Sequence, residues 1–470
     1  MLERRRVRVK RIRRRGPSEG RLSLSGQEGR GHTHTHPHLS AGTICARAVT
    51  GSGSRARKEA YRGERTEPFG VPPVRRGSEE CVFTYQLVWM RKSAVAIVVV
   101  AAAIGVYLLP SPIDPEPFIV EGPPPALEGP LAVNSRLQQG RRLFVGQLKG
   151  PESFTADQEG NVYTGTVDGK LWRIHEDTLH FITQMGENIP ECGSSQDFEP
   201  VCGRPHGLRL DRHGQLIVAD SYLGLFQVNP WTGEKTLLLS SKEGADGIPF
   251  GFLNGLEISR NGTVFFTDSS SRWGRRHVRY EVIETNHLGR LLAYNPETGD
   301  VSTLLDSLYM PNGIAFSPDE DFVLVAETSI GRILRFWLKG PKAGTKEILM
   351  NNMPGYPDNI RVSDRGTFLV GITTIRFPGR LLPPFLDLIG PYPAFKRFMM
   401  KVVPVNWYSI LLPKYGLVLE LGPNGELLGS LHDPDGSLTW AVSDVFQHGS
   451  TGTATLPLPK GIIQELHGGV

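Results

Sequence analysis

Five polar side chains recur at one phase of a repeating pattern in this 470-residue chain: Glu152, His206, Asn254, Asn312 and Asp358. They lie in "GPESFTADQEGNVYTG", "GRPHGLRLDRHGQLIVAD", "GFLNGLEISRNGTVFFTD", "YMPNGIAFSPDEDFVLVAE" and "GYPDNIRVSDRGTFLVG". Four of them are followed eight residues later by a glycine (Gly160, Gly214, Gly262, Gly366), and Asn312 reaches Glu320 at the same interval, inside "SPDED". Two carboxylates and two amide oxygens are hard donors of the kind Ca²⁺ accepts in its shell of six to eight oxygens. Glu152 and Asp358 together match the charge of one divalent cation, whereas Zn²⁺ or Cu²⁺ would call for more His or Cys than the single His206. A polar lining without an ion stays open as the alternative, and one Asn-Gly pair alone would read as a turn.

For such side chains to meet, the repeats that carry them must be arranged radially. Each repeat offers an apolar alternation, a polar turn and a β-branched or aromatic run, and a further strand cue follows: "GKLWRI", "GLFQVNP", "GRLLAYNPETG", "GRILRFWL" and "GLVLELGPNG". Short strands with frequent turn signals and no helical periodicity describe four-stranded antiparallel blades. The key positions are 54, 48, 58 and 46 residues apart, the size of a propeller blade. The expected fold class is all-β: a six-bladed β-propeller after one N-terminal transmembrane helix, its sixth blade incomplete. The segment after "SDVFQHG" carries prolines unsuited to an interior strand, so Arg141–Leu148 is expected to supply that blade's outer strand.

Charge divides the chain. Residues 1–92 carry 21 Lys and Arg against 8 Asp and Glu, and residues 93–470 carry 31 against 40. The acidic remainder argues against nucleic acid as a partner. Between the two lies Ser93–Leu109, uncharged and preceded by Arg91 and Lys92; its 16 apolar residues span roughly 24 Å as a helix. The organisation expected is a cytoplasmic basic tail (1–92), a signal anchor (93–109), a linker (110–140) and an ectodomain (141–470), making a type II protein of the plasma membrane or endoplasmic reticulum. A cleavable signal peptide starting at Met90 is the rival reading, without a clear cleavage site. An oxidising compartment then predicts a Cys192–Cys202 disulfide and a glycan on Asn261 in Asn261-Gly262-Thr263. The runs "ERRRVRVKRIRRR" and "HTHTHPHL" read as a solvated tail. Residues 375–414 mix apolar and basic side chains, with six Lys or Arg against Asp387, and suit a lid over the channel, a membrane contact or a helix on the blade rim.

The strings "SPIDPEPF", "EPVCGRP", "GLFQVNPW", "FFTDSSSRW", "MPNGIAFSPDEDFVLVAET", "MPGYPDNIR" and "SLHDPDG", spread over roughly residues 110–448, resemble the strictosidine synthase-like family. Its wider superfamily, with paraoxonases and gluconolactonases, implies a channel metal, usually Ca²⁺, held here by Glu152, Asn254, Asn312, Asp358 and Asn359; Asn359 rests on the resemblance alone. The activity implied is calcium-dependent, arylesterase-like hydrolysis of small-molecule aryl esters or lactones, with His206 as the candidate base or simply a channel-lining residue. The position of a partner histidine falls near Asp220 and Ser221, and Asp444 stands where strictosidine synthases use a glutamate, so their amine condensation is not expected. The alternative function is a non-catalytic propeller receptor or scaffold with a structural calcium ion.

Overall fold

The computed structural model describes residues 77–376, 383–448, 451–454 and 463–467; the Arg-rich run and the His-Thr repeat lie outside them. Helices are few: α1 (Gly77–Leu108), α2 (Glu199–Cys202), α3 (Val278–Glu284), α4 (Phe385–Ile389) and α5 (Pro393–Val402). Short 3-10 turns and strands make up the rest of the regular structure.

Five blades are antiparallel meanders of four consecutive strands, beginning at Phe154–Ala156, Pro205–Leu210, Leu253–Ile258, Pro311–Phe316 and Gly355–Val362. The first strand of each blade packs against the first strand of the next, so these strands are innermost. Second strands such as Leu216–Asp220 and Phe322–Glu327 are buried along their whole length. This explains why "LIVAD" and "FVLVAE" are continuous apolar runs rather than alternating ones. The apolar cores lie between blades. Phe265, Leu291 and Ala293 of blade three meet Phe316, Val323 and Val325 of blade four, and Tyr163 and Leu171 of blade one meet Leu208, Leu216 and Val218 of blade two. No blade buries both faces alone, so neighbours stabilise one another.

The expectation of six blades is corrected to five. The remaining four-stranded sheet is not a unit of the repeating kind: it is stitched from segments on both sides of the repeats in the order Arg141–Leu143, Ile463–His467, Thr451–Ala454, Val445–His448. The physical reason is visible in the sequence. After His448 the chain lacks the turn-glycine pattern of the repeats, and its prolines fall between Thr451–Ala454 and Ile463–His467 rather than inside a strand. The strand expected over Arg141–Leu148 is only three residues long. Val445–His448 lies against the innermost strands of blades five and one. Asp444 there accepts the Phe154 amide (3.0 Å) and grips Arg361 through Nε and Nη2 (2.8 and 2.5 Å).

The turn positions follow the interval of eight: Gly160, Gly214, Gly262 and Gly366 all have positive φ, and Glu320 occupies the same conformation at φ 54°. Glycine is the default residue there because it carries no Cβ penalty. The disulfide joins Cys192 to Cys202.

Among the described residues one helix is long and apolar enough to cross a membrane, over Tyr85–Leu108 of α1. It begins well before the expected anchor and includes Arg91 and Lys92. The basic segment after blade five's second strand folds as α4, α5 and a 3-10 stretch over Val405–Leu411. Ile389, Met399 and Met400 pack on Ile283 of α3, and Lys401 Nζ donates to the Tyr107 carbonyl of α1 at 2.7 Å.

Candidate functional site

Glu152 precedes blade one's innermost strand, and His206, Asn254, Asn312 and Asp358 lie within the innermost strands of blades two to five. All five side chains line one cavity of about 340 Å³. None of the four within strands is a turn residue; all five stand at the entry to an innermost strand. The glycine after three of them is required by packing. A Cβ on Gly207 would stand 2.5 Å from the Asn254 carbonyl oxygen, on Gly255 2.2 Å from that of Asn312, and on Gly313 2.4 Å from the Asn359 Cα. The innermost strands of blades two, three and four thus touch the backbone of the next directly beside a polar side chain, and the glycines let the donors converge.

Each polar side chain has a distinct set of partners. Glu152 is 4% exposed; it accepts from Ser443 Oγ at 2.6 Å and pairs with Arg204 Nη2 at 3.0 Å. His206 Nδ1 lies 3.3 Å from Asn254 Oδ1, and Asn254 Nδ2 donates to Ser269 Oγ at 3.1 Å. This network assigns the proton to Nδ1 and leaves Nε2 as an acceptor. Among the described residues, three atoms of these side chains in the cavity wall are buried without a hydrogen-bond partner: His206 Nε2, Asn312 Oδ1 and Asp358 Oδ1. Asn359 stands apart: its side chain donates to the Ser443 carbonyl (3.3 Å) and does not line the cavity.

Burial raises the Asp358 carboxyl well above its ordinary range, and the charges of Glu152 and Asp444 add to the effect, while hydrogen bonds from Asn312 and Ser443 oppose it. Burial, then the Arg204 and Arg275 guanidiniums, hold His206 well below 6.5, so the imidazole is neutral. A cation at this spot would relieve the Asp358–Glu152 repulsion and supply a partner for the unpaired oxygens. The residues fit a hard, oxygen-seeking ion in that respect, although Arg204 already offsets part of the Glu152 charge. Among the described residues no group of three or more His, Cys, Asp or Glu side chains could hold a metal ion; this set relies on amides.

Asp220 is fully buried and accepts the amides of Arg204 (2.7 Å), Tyr222 and Leu223, and burial raises it to about 6. Asp268 and Glu327 end the second strands of the next two blades and likewise accept the amides of Phe252 and Tyr309. The endings "VAD", "FTD" and "VAE" are thus clamps on the entry to each innermost strand, a repeat signal that sequence reading passed over. Asp444 is similarly committed, to Arg361. Arg204, Arg275 and Arg279 were also missed; only "GRPHG" put one of them near a key residue.

Three residues further along the innermost strands lies a second layer, of charged side chains. Arg209 pairs with Glu257 (2.9 Å), and Arg361 pairs with Asp444 and donates to Ser153 Oγ (2.8 Å). None of these four charged residues lines the cavity. Its other boundary is formed by α3 and the α4–α5 segment, with Val278, Val282, Phe385, Leu386, Tyr408 and Leu412 as apolar walls.

A family model described as Strictosidine synthase matches residues 254–341, and one described as Strictosidine synthase-like, N-terminal, matches residues 129–174. The chain is similar to the adipocyte plasma membrane-associated protein of Homo sapiens, 44% identical over 344 residues, 73% of this chain and 80% of that protein. It is 35% identical to the protein Strictosidine synthase-like 3 of Arabidopsis thaliana over 322 residues, 66% of this chain and 80% of that protein. A solved gluconolactonase from Xanthomonas campestris covers 76% of this chain and 99% of its own at 16% identity and a TM-score of 0.47. By its identity to these two curated relatives over four fifths of their length, and by the two family models that it matches, the chain belongs to the strictosidine synthase-like family.

Proposed function

We propose that the protein is a membrane-anchored hydrolase of aryl esters or lactones that works with Ca²⁺ in the propeller channel. The observation that carries this reading is the group of unpartnered buried atoms, Asn312 Oδ1, Asp358 Oδ1 and His206 Nε2, in the wall of an otherwise mostly apolar cavity. Glu152, Asn254, Asn312 and Asp358 would hold the ion; Asn359, turned to Ser443, would act by fixing Asp358. When bound, such an ion supplies a positive charge that favours negative charge developing on a carbonyl oxygen. The chain's own residues do the rest. The Asn254 contact orients the His206 ring so that Nε2 accepts a proton from a water molecule in the cavity. Because the imidazole is held neutral, it is in the accepting form at physiological pH. Apolar walls exclude bulk water and receive the aromatic or aliphatic part of the substrate.

Support for the anchor comes from α1, with Arg91 and Lys92 near the start of its apolar stretch favouring a cytoplasmic N-terminal side. Hydrolysis of a chromogenic aryl acetate by the detergent-solubilised full chain, with and without a calcium chelator, tests the activity. Turnover that vanishes with chelator and in Glu152→Gln or Asp358→Asn supports it. No turnover in the native protein, with Ca²⁺ still raising the melting temperature, leaves the non-catalytic propeller with a structural ion.

A further inference from the structure

The 3-10 turn Arg275–His277 and α3 are inserted between the second and third strands of blade three and roof the cavity. Arg275, Val278, Arg279, Val282 and Ile283 face it, the spacing of one helical face. Three are apolar and two are cationic, but the two arginines differ. Arg275 is buried and meets the Glu199 carboxylate at 3.4 Å. Arg279 is only partly exposed, and among the described residues its guanidinium has no carboxylate partner; its one hydrogen bond is a long contact to Asn406 Oδ1 (3.4 Å). Burial and the nearby Arg275 charge both pull the Arg279 pKa down, so the environment disfavours its charge.

A half-buried guanidinium in an apolar wall is costly unless an anion completes it. Its planar fork matches a carboxylate in two-point contact. We infer that Arg279 is a substrate-recognition residue, and that the cavity takes an amphipathic carboxylate whose apolar body lies against α3 and the α4–α5 segment. The inference rests on the proposed function only for the choice of cavity, because it concerns binding and needs no turnover.

The test is calorimetric binding of 4-phenylbutyrate and of its neutral counterpart 4-phenylbutanol to the full chain in non-ionic detergent. Chelator is present throughout, so that no added cation can supply the contact. The native protein is expected to prefer the carboxylate. Arg279→Met should weaken 4-phenylbutyrate by about ten- to a hundred-fold, the range of a charge-assisted hydrogen bond, and leave 4-phenylbutanol unchanged. Arg279→Lys should recover part of the preference, and Arg276→Met, at an exposed neighbour, should alter neither ligand. Retained 4-phenylbutanol binding and an unchanged melting temperature show that the variants are folded. Equal binding of the two ligands by native protein overturns the inference, as does full 4-phenylbutyrate affinity in Arg279→Met. If carboxylate binding holds and aryl acetates are not hydrolysed, the catalytic reading alone fails.

Discussion

Replacing Gly255 by alanine tests how the donors are brought together. The added methyl would start 2.2 Å from the Asn312 carbonyl oxygen, a backbone atom that no rotamer change can move. Real Cβ atoms essentially never approach closer than 3.0 Å, so the innermost strands of blades three and four must part by roughly 1 Å. Two consequences follow. Overpacking of this kind costs about 1–3 kcal/mol, a fall of several degrees in melting temperature for a domain of this size. The shift is also large beside the window of calcium–oxygen distances, which spans only about 0.3 Å, so Asn254 and Asn312 cannot both stay in register for one ion. The expected loss of Ca²⁺ affinity is at least about tenfold. Thermal melts of the full chain over a series of Ca²⁺ concentrations report both effects, since an ion that binds only the folded state raises the midpoint. Gly429→Ala on blade five's last strand, where the nearest atom to an added Cβ is 3.9 Å away, is the matched control. A Gly255→Ala protein that melts with the native one and keeps its response to Ca²⁺ would refute the close-approach argument.

Asp444→Asn leaves the Arg361 charge buried without its bidentate partner; the expected loss is about 3 kcal/mol, read by chemical denaturation. Lys396 is fully buried, its ammonium donating to Thr285 Oγ1 (3.1 Å), and burial lowers it from 10.5 to about 8 despite the opposing Glu284 charge. Between pH 8 and 10.5 the unfolded chain binds a proton that the folded chain does not, so stability rises with pH across that window by at most about 3 kcal/mol. Melts from pH 7.5 to 10 should show the rise, and Lys396→Met should flatten it. Asn261 is exposed in its turn, so expression in a secretory host should yield a glycosidase-sensitive mass that Asn261→Gln abolishes; an unmodified Asn261 argues against a lumenal propeller.

Much of this architecture could be read from the chain because a propeller repeats. The interval of eight marks both the start of an innermost strand and the glycine of its turn, and Glu320 shows that the interval persists where glycine does not. What did not repeat was not legible. The closing sheet draws its strands from residues more than three hundred positions apart, and no local pattern announces such a pairing. Asn359 has the residue type of a ligand, but its side chain is held by the Ser443 carbonyl, in the segment before Val445–His448. Arg279 reads in sequence as one charge in "RWGRRHVRY"; only the placement of α3 over the cavity distinguishes it from its exposed neighbour Arg276.

α3 and the α4–α5 segment stand over the donors as mostly apolar walls of the cavity. A molecule passing them gives up contact with water before it meets Asn312 and Asp358. The residues at that rim therefore govern residence time as much as those beside the donors.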